Sequence, residues 1–362
     1  MTRPSAQQVE DAIQKFRIDA DLQDVSVLQR GHIHDTYVSS WRMDGAVRQF
    51  IHQRMNNQVF PDLELLMRNI QRISEHMLAK LDRASSDGFE PLQLVPTRDA
   101  HPFARTESGS WRTFVFIMDS TSFDRCQSED QAFEAARAVG WFQSQLRDLP
   151  ASELGETLEH FFSTPHRYAQ FGASLKQAGD ERLNSAADAI TFAHDRRGMA
   201  SVIDDMLLSG EMPARIVHGD TKLNNILFDT NTGRAKGIVD LDTCMAGYSL
   251  YDFGDQVRFT AATSAEDETD LDKVGTNLAI YRALVAGYLT HARGFLTQRE
   301  IEMMPFAARL VTLTIGLRFL TDYLSGDRYF HTDRENQNLD RAKVQFRMVE
   351  CMEQNEALMR VE

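Results

Sequence analysis

The chain has 362 residues, which at roughly 150 residues per domain allows two domains or two lobes of one enzyme. Hydrophobic residues make up 42% and charged residues 25%, a soluble folded composition that excludes collagenous, disulfide-scaffold and disordered classes. The 53 acidic against 39 basic residues leave a net charge of −14, which argues against a nucleic-acid partner, because tracking a duplex needs a basic stripe.

Cys126, Cys244 and Cys351 are odd in number and belong to no CxxC or Cys/His cluster. Neither a disulfide framework nor a structural zinc site is expected, and a reducing compartment fits. The N-terminal stretch is charged and amphipathic with no apolar signal core, and no run of about 18 apolar residues occurs. The expectation is a cytoplasmic monomer with no membrane partner.

In chain order, VSVLQR, TYVSSW and VRQFIHQRM read as three short strands. Met43-Asp44-Gly45 lies between the last two, and Asp-Gly is a strong hairpin signal. After Pro61, the three- and four-residue spacing of Leu65, Leu66, Ile70, Ile73 and Met77 predicts a helix. Leu94-Val95 and Trp111 to Met118 are further strand candidates, and the polar MDSTSFD after them reads as a connector. From Glu129 the pattern turns helical. Short apolar runs return in ARIVHGD, NNILFD and AKGIVDLD, separated by turns such as Asn231-Thr232-Gly233, and the remainder is mostly helical. These readings predict an α+β chain with a small β-rich N-terminal lobe, 1–118, ending in a hinge, and a larger helical lobe, 119–362. No internal repeat or low-complexity tract is visible.

The chemistry concentrates in IVHGDTKLNNILFDTNTGRAKGIVDLD. Asp220 follows an apolar run, Asn225 comes five residues later and Asp240 ends another apolar run. Phosphoryl transfer uses such a set: a carboxylate to orient the acceptor hydroxyl and take its proton, and an amide and a second carboxylate to hold magnesium on the nucleotide phosphates. His218 is expected to order the backbone, because Asp220 already fills the proton-accepting role.

HGDTKLNN followed by IVDLD resembles the aminoglycoside phosphotransferase and choline kinase superfamily, whose members share a bilobal protein-kinase-like fold. GHIHDTY, QRMNNQVFPDLELLMRNI, STPHRYAQF, VDLDTCMAGYSLYDFGDQVRF and GLRFLTDYLSGDRYF resemble bacterial N-acetylhexosamine 1-kinases, and the resemblance spans Gly31 to about Gln345. It implies ATP and magnesium as cofactors and a small sugar as substrate, phosphorylated on its anomeric hydroxyl. It also implies Asp220 as catalytic base and Asn225 and Asp240 as metal ligands, with Asp242 beside them. For the sugar it points to His32, Asp220, Arg318 and Tyr329.

The chain departs from the protein-kinase pattern in having no G-x-G-x-x-G and no third-strand lysine. FIHQRM offers Gln53 or Arg54 instead, with Glu64 on the next helix as a candidate partner, and the turn containing Asp35 and Thr36 is expected to meet the nucleotide. Phe116 to Met118 would form a hinge that receives adenine, Phe116 and Met118 being the candidate contacts. His34 stands where the resemblance leads one to expect asparagine. Arg318 has a second reading as the i,i+4 partner of Asp322. Asp252 and Asp255 are expected to cap and brace the helix after the metal loop. A kinase for an aminoglycoside, choline or another small alcohol, and a catalytically silent ATP-binding module, stand as alternatives.

Overall fold

Asp44 and Gly45 both take positive φ, 50° and 82°, the geometry that matches a tight turn to the twist of its flanking strands. The computed structural model describes residues 3–28, 33–81 and 87–361. In chain order it runs α1 (Ala6–Ile13), β1 (Asp21–Val27), β2 (Asp35–Met43), β3 (Ala46–Arg54), α2 (Leu63–Leu81), β4 (Leu94–Val95), β5 (Ala104–Thr106), β6 (Gly109–Val115) and β7 (Ser120–Thr121). Then follow α3 (Glu129–Leu146), α4 (Thr164–Gln177), α5 (Asp180–Ser185), α6 (Ala187–Asp195), α7 (Val202–Ser209), β8 (Arg215–Val217), β9 (Ile226–Asp229), β10 (Ala235–Ile238) and β11 (Met245–Gly247). The chain closes with α8 (Ser249–Thr260), α9 (Leu278–Ala292), α10 (Gln298–Leu324), α11 (Gln337–Gln354) and α12 (Glu356–Met359).

The chain forms two units. The first takes Met1–Thr121 and is joined by two later segments, Ser152–Leu158 and Leu227–Met245. Its main sheet is antiparallel in the order β1-β2-β3-β6-β4, with β5 also paired to β6. Register pairs Asp35 with Arg54 and Thr36 with Gln53. Val9, Ala12 and Ile13 of α1 bury their stripe with Phe16 in one cluster with Tyr37, Trp41, Phe50 and Trp111 of the sheet. A capping box fixes the start of α1, Ser5 Oγ accepting from Gln8 N while Gln8 Oε1 accepts from Ser5 N. α2 is tied down by Ser74, whose Oγ donates to Leu92 O and accepts from Leu94 N.

The strand expected over Trp111 to Met118 ends at Val115, and the connector contains the short β7. β7 pairs with β9 and completes a small sheet in the order β10-β9-β7. The backbone N–H of Glu90 donates to Lys236 O at 2.7 Å, tying this late hairpin to the early part of the unit.

The second unit comprises Ser122–Ala151, Glu159–Ile226 and Ala246–Glu362. α10 is mostly apolar and buried over most of its length, with α4, α8 and α11 against it. It is the one helix among the described residues long and apolar enough to cross a membrane, and 83% of that window is buried inside the protein. α3 and α9 meet through glycines: a Cβ at Gly140 would lie 2.4 Å from Tyr288 O, and one at Gly287 would lie 2.0 Å from Phe133 O. The backbones are thus in contact where each helix lacks a side chain.

Candidate active site

In the second unit β8 delivers the chain to His218, after which Gly219 turns with φ 82° and the backbone leaves regular structure. A loop of this kind carries exposed N–H groups that need acceptors. α8 supplies them from two carboxylates three residues apart, on one helix face. Asp252 accepts from His218 N and Gly219 N, each at 2.8 Å, and Asp255 accepts from Thr221 N at 3.1 Å. Thr221 Oγ1 returns a bond to Asp252 O at 2.7 Å. Gln143 of α3 donates to Asp252 at 2.7 Å, and Tyr288 of α9 fixes that amide by donating to its Oε1 at 2.6 Å. Burial pushes the Asp252 carboxyl upward, opposed by His218 and by these donors. The two aspartates therefore brace the loop itself, where the sequence suggested a helix cap.

Held in this way, Asp220 is part-exposed, with 27% of its side chain accessible. Its backbone N–H donates to His218 Nδ1 at 3.3 Å, giving His218 the ordering role expected. Asn225 donates Nδ2 to Asp220 O at 2.9 Å and to Oδ2 at 3.1 Å, so the predicted base and amide do meet. Both donor contacts engage the nitrogen of Asn225, leaving its Oδ1 as an acceptor with no protein donor among the described residues. Lys222 Nζ lies 3.1 Å from Asp220 Oδ2, a cation that the sequence reading passed over although it stands two residues beyond the aspartate.

Asp240 belongs to the first unit. It is exposed and takes a left-handed conformation, φ 68° and ψ 64°, which a non-glycine residue adopts at a cost. Two residues on, Asp242 is buried and doubly paired, to Arg112 Nη1 at 2.5 Å and His34 Nε2 at 2.5 Å. Asn56 N donates to His34 Nδ1 at 3.0 Å, so Nδ1 is the acceptor and Nε2 carries the proton given to Asp242. Burial opposes the Asp242 charge, but Arg112 and His34 outweigh it and hold the carboxyl well below the usual range. Burial likewise lowers His34, against its bond to Asp242. Arg112 also donates Nε to Gln53 Oε1 at 2.8 Å, and Gln53 Nε2 reaches Thr36 Oγ1 at 3.4 Å.

Arg54 is bound twice by Asp35, through Nε at 2.8 Å and through Nη2, and donates to Ser108 O at 3.2 Å. Two candidate nucleotide contacts thus neutralise each other. Glu64 pairs with Arg105 in solvent at 2.7 Å. At the expected hinge, Phe116 N donates to Gln49 O, and exposed Met118 gives its carbonyl to Lys236 Nζ at 2.8 Å. His32 lies outside the described residues.

The second unit also brings Arg318 and Tyr329 together. The Arg318 guanidinium lies over the rings of Phe161, Tyr329 and Phe330 at 5.6, 5.8 and 5.4 Å. It does not pair with Asp322. That carboxylate instead accepts from the backbone N–H groups of Arg328, Tyr329 and Phe330, each at 2.9 Å, and from Asn338 Nδ2 at 3.0 Å. Asp322 thereby fixes the loop that leaves Tyr329 71% exposed.

A β-rich first unit and a helical second unit, with an Asp-x-x-x-x-Asn loop braced from a following helix, define a kinase-like phosphotransferase fold. The sequence pattern of the phosphotransferase enzyme family (APH) matches residues 74–284, and the chain belongs to that family. A microcompartment-associated aminopropanol kinase is similar along its whole length, at 16% identity and TM-score 0.61 with 99% of each chain covered. An aminoglycoside phosphotransferase from Alicyclobacillus acidocaldarius has 12% identity and TM-score 0.60, covering 98% of this chain and 97% of its own. Choline kinase from Cryptosporidium parvum has 11% identity and TM-score 0.56, covering 93% and 91%. The chain is accordingly a member of the phosphotransferase enzyme family, and it shares its fold with these kinases.

Proposed function

We propose that the protein transfers the γ-phosphoryl group of ATP to the anomeric hydroxyl of an N-acetylhexosamine, giving the sugar 1-phosphate and ADP. Asp220 supports the reading most directly, since its carboxylate is fixed in place yet remains open to an acceptor. It orients the C1 hydroxyl and takes its proton as the new O–P bond forms and the bond to the ADP oxygen breaks. A hemiacetal hydroxyl is more acidic than an ordinary sugar alcohol, which eases the demand on the base.

Asn225 and Asp240 offer amide and carboxylate oxygens, the donor types a hard cation takes. Magnesium held by such oxygens would neutralise charge on the nucleotide phosphates, Asn225 being the candidate ligand in the second unit and Asp240 the candidate in the first. Lys222 beside Asp220 adds a fixed positive charge next to the reacting group.

At the sugar end, Arg318 and exposed Tyr329 combine guanidinium donors with an aromatic face, a pairing suited to hydroxyls, an acetamide carbonyl and the C–H face of a ring. The guanidinium also weighs against amino alcohols and aminoglycosides, whose ammonium groups it would repel.

Incubation with ATP, magnesium and N-acetylglucosamine or N-acetylgalactosamine, followed by phosphorus NMR, tests the proposal. A 1-phosphate is expected. A 6-phosphate, or turnover confined to amino alcohols, would overturn it. The Asp220→Asn variant is expected to lose several orders of magnitude in kcat while ATP binding stays measurable.

A further inference from the structure

Among the described residues four arginines are buried, and Arg54, Arg112, Arg137 and Arg258 pair with Asp35, Asp242, Glu134 and Asp255 respectively. This is the usual requirement for taking a charge out of water. Arg167 and Arg318 are half-buried and break the pattern. Among the described residues neither pairs with a carboxylate, in a chain that carries 53 acidic residues.

The two are neighbours. Arg167, in the first turn of α4, donates Nη2 to Phe161 O at 3.3 Å and Nη1 to Gln170 Oε1 at 3.0 Å. Arg318 of α10 lies over the ring of the same Phe161. The Arg167 Nε is buried with no acceptor. Burial and then the Arg318 charge lower Arg167 from its ordinary range. His166, which precedes Arg167, stacks on His160 at 4.4 Å, and burial lowers its basicity, so the charge of this cluster is carried by the two arginines. Ring contacts supply attraction to a cation but no hydrogen-bond acceptor, so the guanidinium donors of Arg318 are left for an incoming group.

The cluster also connects to the catalytic loop. Phe161 and Phe162 pack on Tyr251 of α8, with ring centroids at 6.2 and 4.5 Å. Tyr251 and Asp255 are four residues apart, hence on one face of that helix, and Asp255 holds Thr221 beside Asp220. The arginines and the proposed base are thus organised by the same helix.

We propose that Arg167 and Arg318 form an anion subsite, and that the acceptor is an N-acetylhexosamine bearing a phosphate or a carboxylate in addition to the hydroxyl it presents to Asp220. This rests on the phosphotransfer reading above and narrows its substrate class. Two arginines facing one anionic group form charge-assisted, forked hydrogen bonds, which a neutral sugar cannot match.

The test compares kcat/KM for N-acetylglucosamine, its 6-phosphate and its 3-O-lactyl ether, using wild type, Arg167→Gln and Arg167→Lys. Wild type is expected to favour one anionic sugar by about 10- to 100-fold, the range that charge-assisted bonds supply. The preferred arm identifies phosphate or carboxylate. Arg167→Gln is expected to abolish the preference, and Arg167→Lys to retain part of it. Equal or better turnover of the neutral sugar would overturn the subsite and leave the kinase reading intact.

Calorimetric titration of the same sugars, with a non-hydrolysable ATP analogue present, reads the subsite without turnover. If no sugar is phosphorylated, the kinase reading fails. Tighter binding of an anionic sugar that is lost in Arg167→Gln would then still support the subsite, and equal binding of all three would refute it.

Discussion

Asp252 gives the sharpest test of how the catalytic loop is held. Its carboxylate is fully buried and accepts two backbone N–H groups, from His218 and Gly219, and the Gln143 amide. In Asp252→Asn the volume is conserved, but one of the two oxygens becomes an NH2 that faces a donor. Gln143 cannot reverse its amide freely, because Tyr288 donates to its Oε1 and its Nε2 also serves Ser249 O. One buried donor therefore loses its acceptor, which costs about 1–3 kcal/mol. Asp252→Ala orphans both backbone donors, while Gln143 keeps Ser249 O, and roughly 2–6 kcal/mol follows from the same per-group cost. Urea unfolding measures the stability change. Because the loop carries Asp220, kcat is expected to fall in parallel by about 100-fold for a displacement near 1 Å, with nucleotide affinity little changed. An Asp252→Asn variant with wild-type urea midpoint and kcat would refute the bracing argument.

The other predictions concern separate parts of the molecule. Arg112→Ala strands the Asp242 carboxylate in the interior and is expected to destabilise the first unit by about 3–5 kcal/mol, read from its unfolding transition. Asp240→Asn tolerates the left-handed backbone and is expected to unfold like wild type while turnover collapses, whereas Asp240→Val adds a backbone penalty visible in the melting temperature. His52 is buried and neutral, bonded to Ser39 and Thr113, with burial lowering it from 6.5 to about 3. The unfolded chain binds that proton below pH 6.5 and the folded chain does not, so stability is full above 6.5 and is lost as pH falls toward 3. At pH 5 the loss is about 2 kcal/mol, and a His52→Asn variant is expected to show a flatter pH dependence of urea midpoint. Gly287→Ala would press a methyl against Phe133 O and separate α3 from α9, costing about 1–3 kcal/mol or more by thermal unfolding.

Local signals carried much of the fold. The Asp44-Gly45 hairpin, the helical stripe after Pro61 and the short apolar runs around Asp220 are set by neighbours in sequence, and periodicity and turn chemistry expose them. The Asp220-Asn225 meeting is likewise a five-residue spacing within one turn. What stayed hidden is non-local. Nothing near Arg112 reveals that its carboxylate partner lies at Asp242, and nothing near Arg54 reveals Asp35 except cross-strand register, which requires the hairpin alignment first. The four-residue spacing permits Asp322 as a side-chain partner of Arg318, the second reading of that arginine. Three backbone N–H groups in the following loop compete for the same carboxylate and win. Arg167 sits in an unremarkable helix start, and what sets it apart is the lack of a carboxylate partner among the described residues.

The first unit draws on segments far apart in the chain, and this sets an order of events during synthesis. Residues up to Thr121 can pair their strands early, but Arg112 and His34 then face an interior position that Asp242 has yet to fill, and Glu90 N lacks the Lys236 carbonyl. The sheet must wait with a guanidinium unneutralised while much of the helical unit emerges from the ribosome. Nascent chains halted before Leu227 are therefore expected to expose a protease-sensitive N-terminal sheet, and those extended past Met245 to protect it.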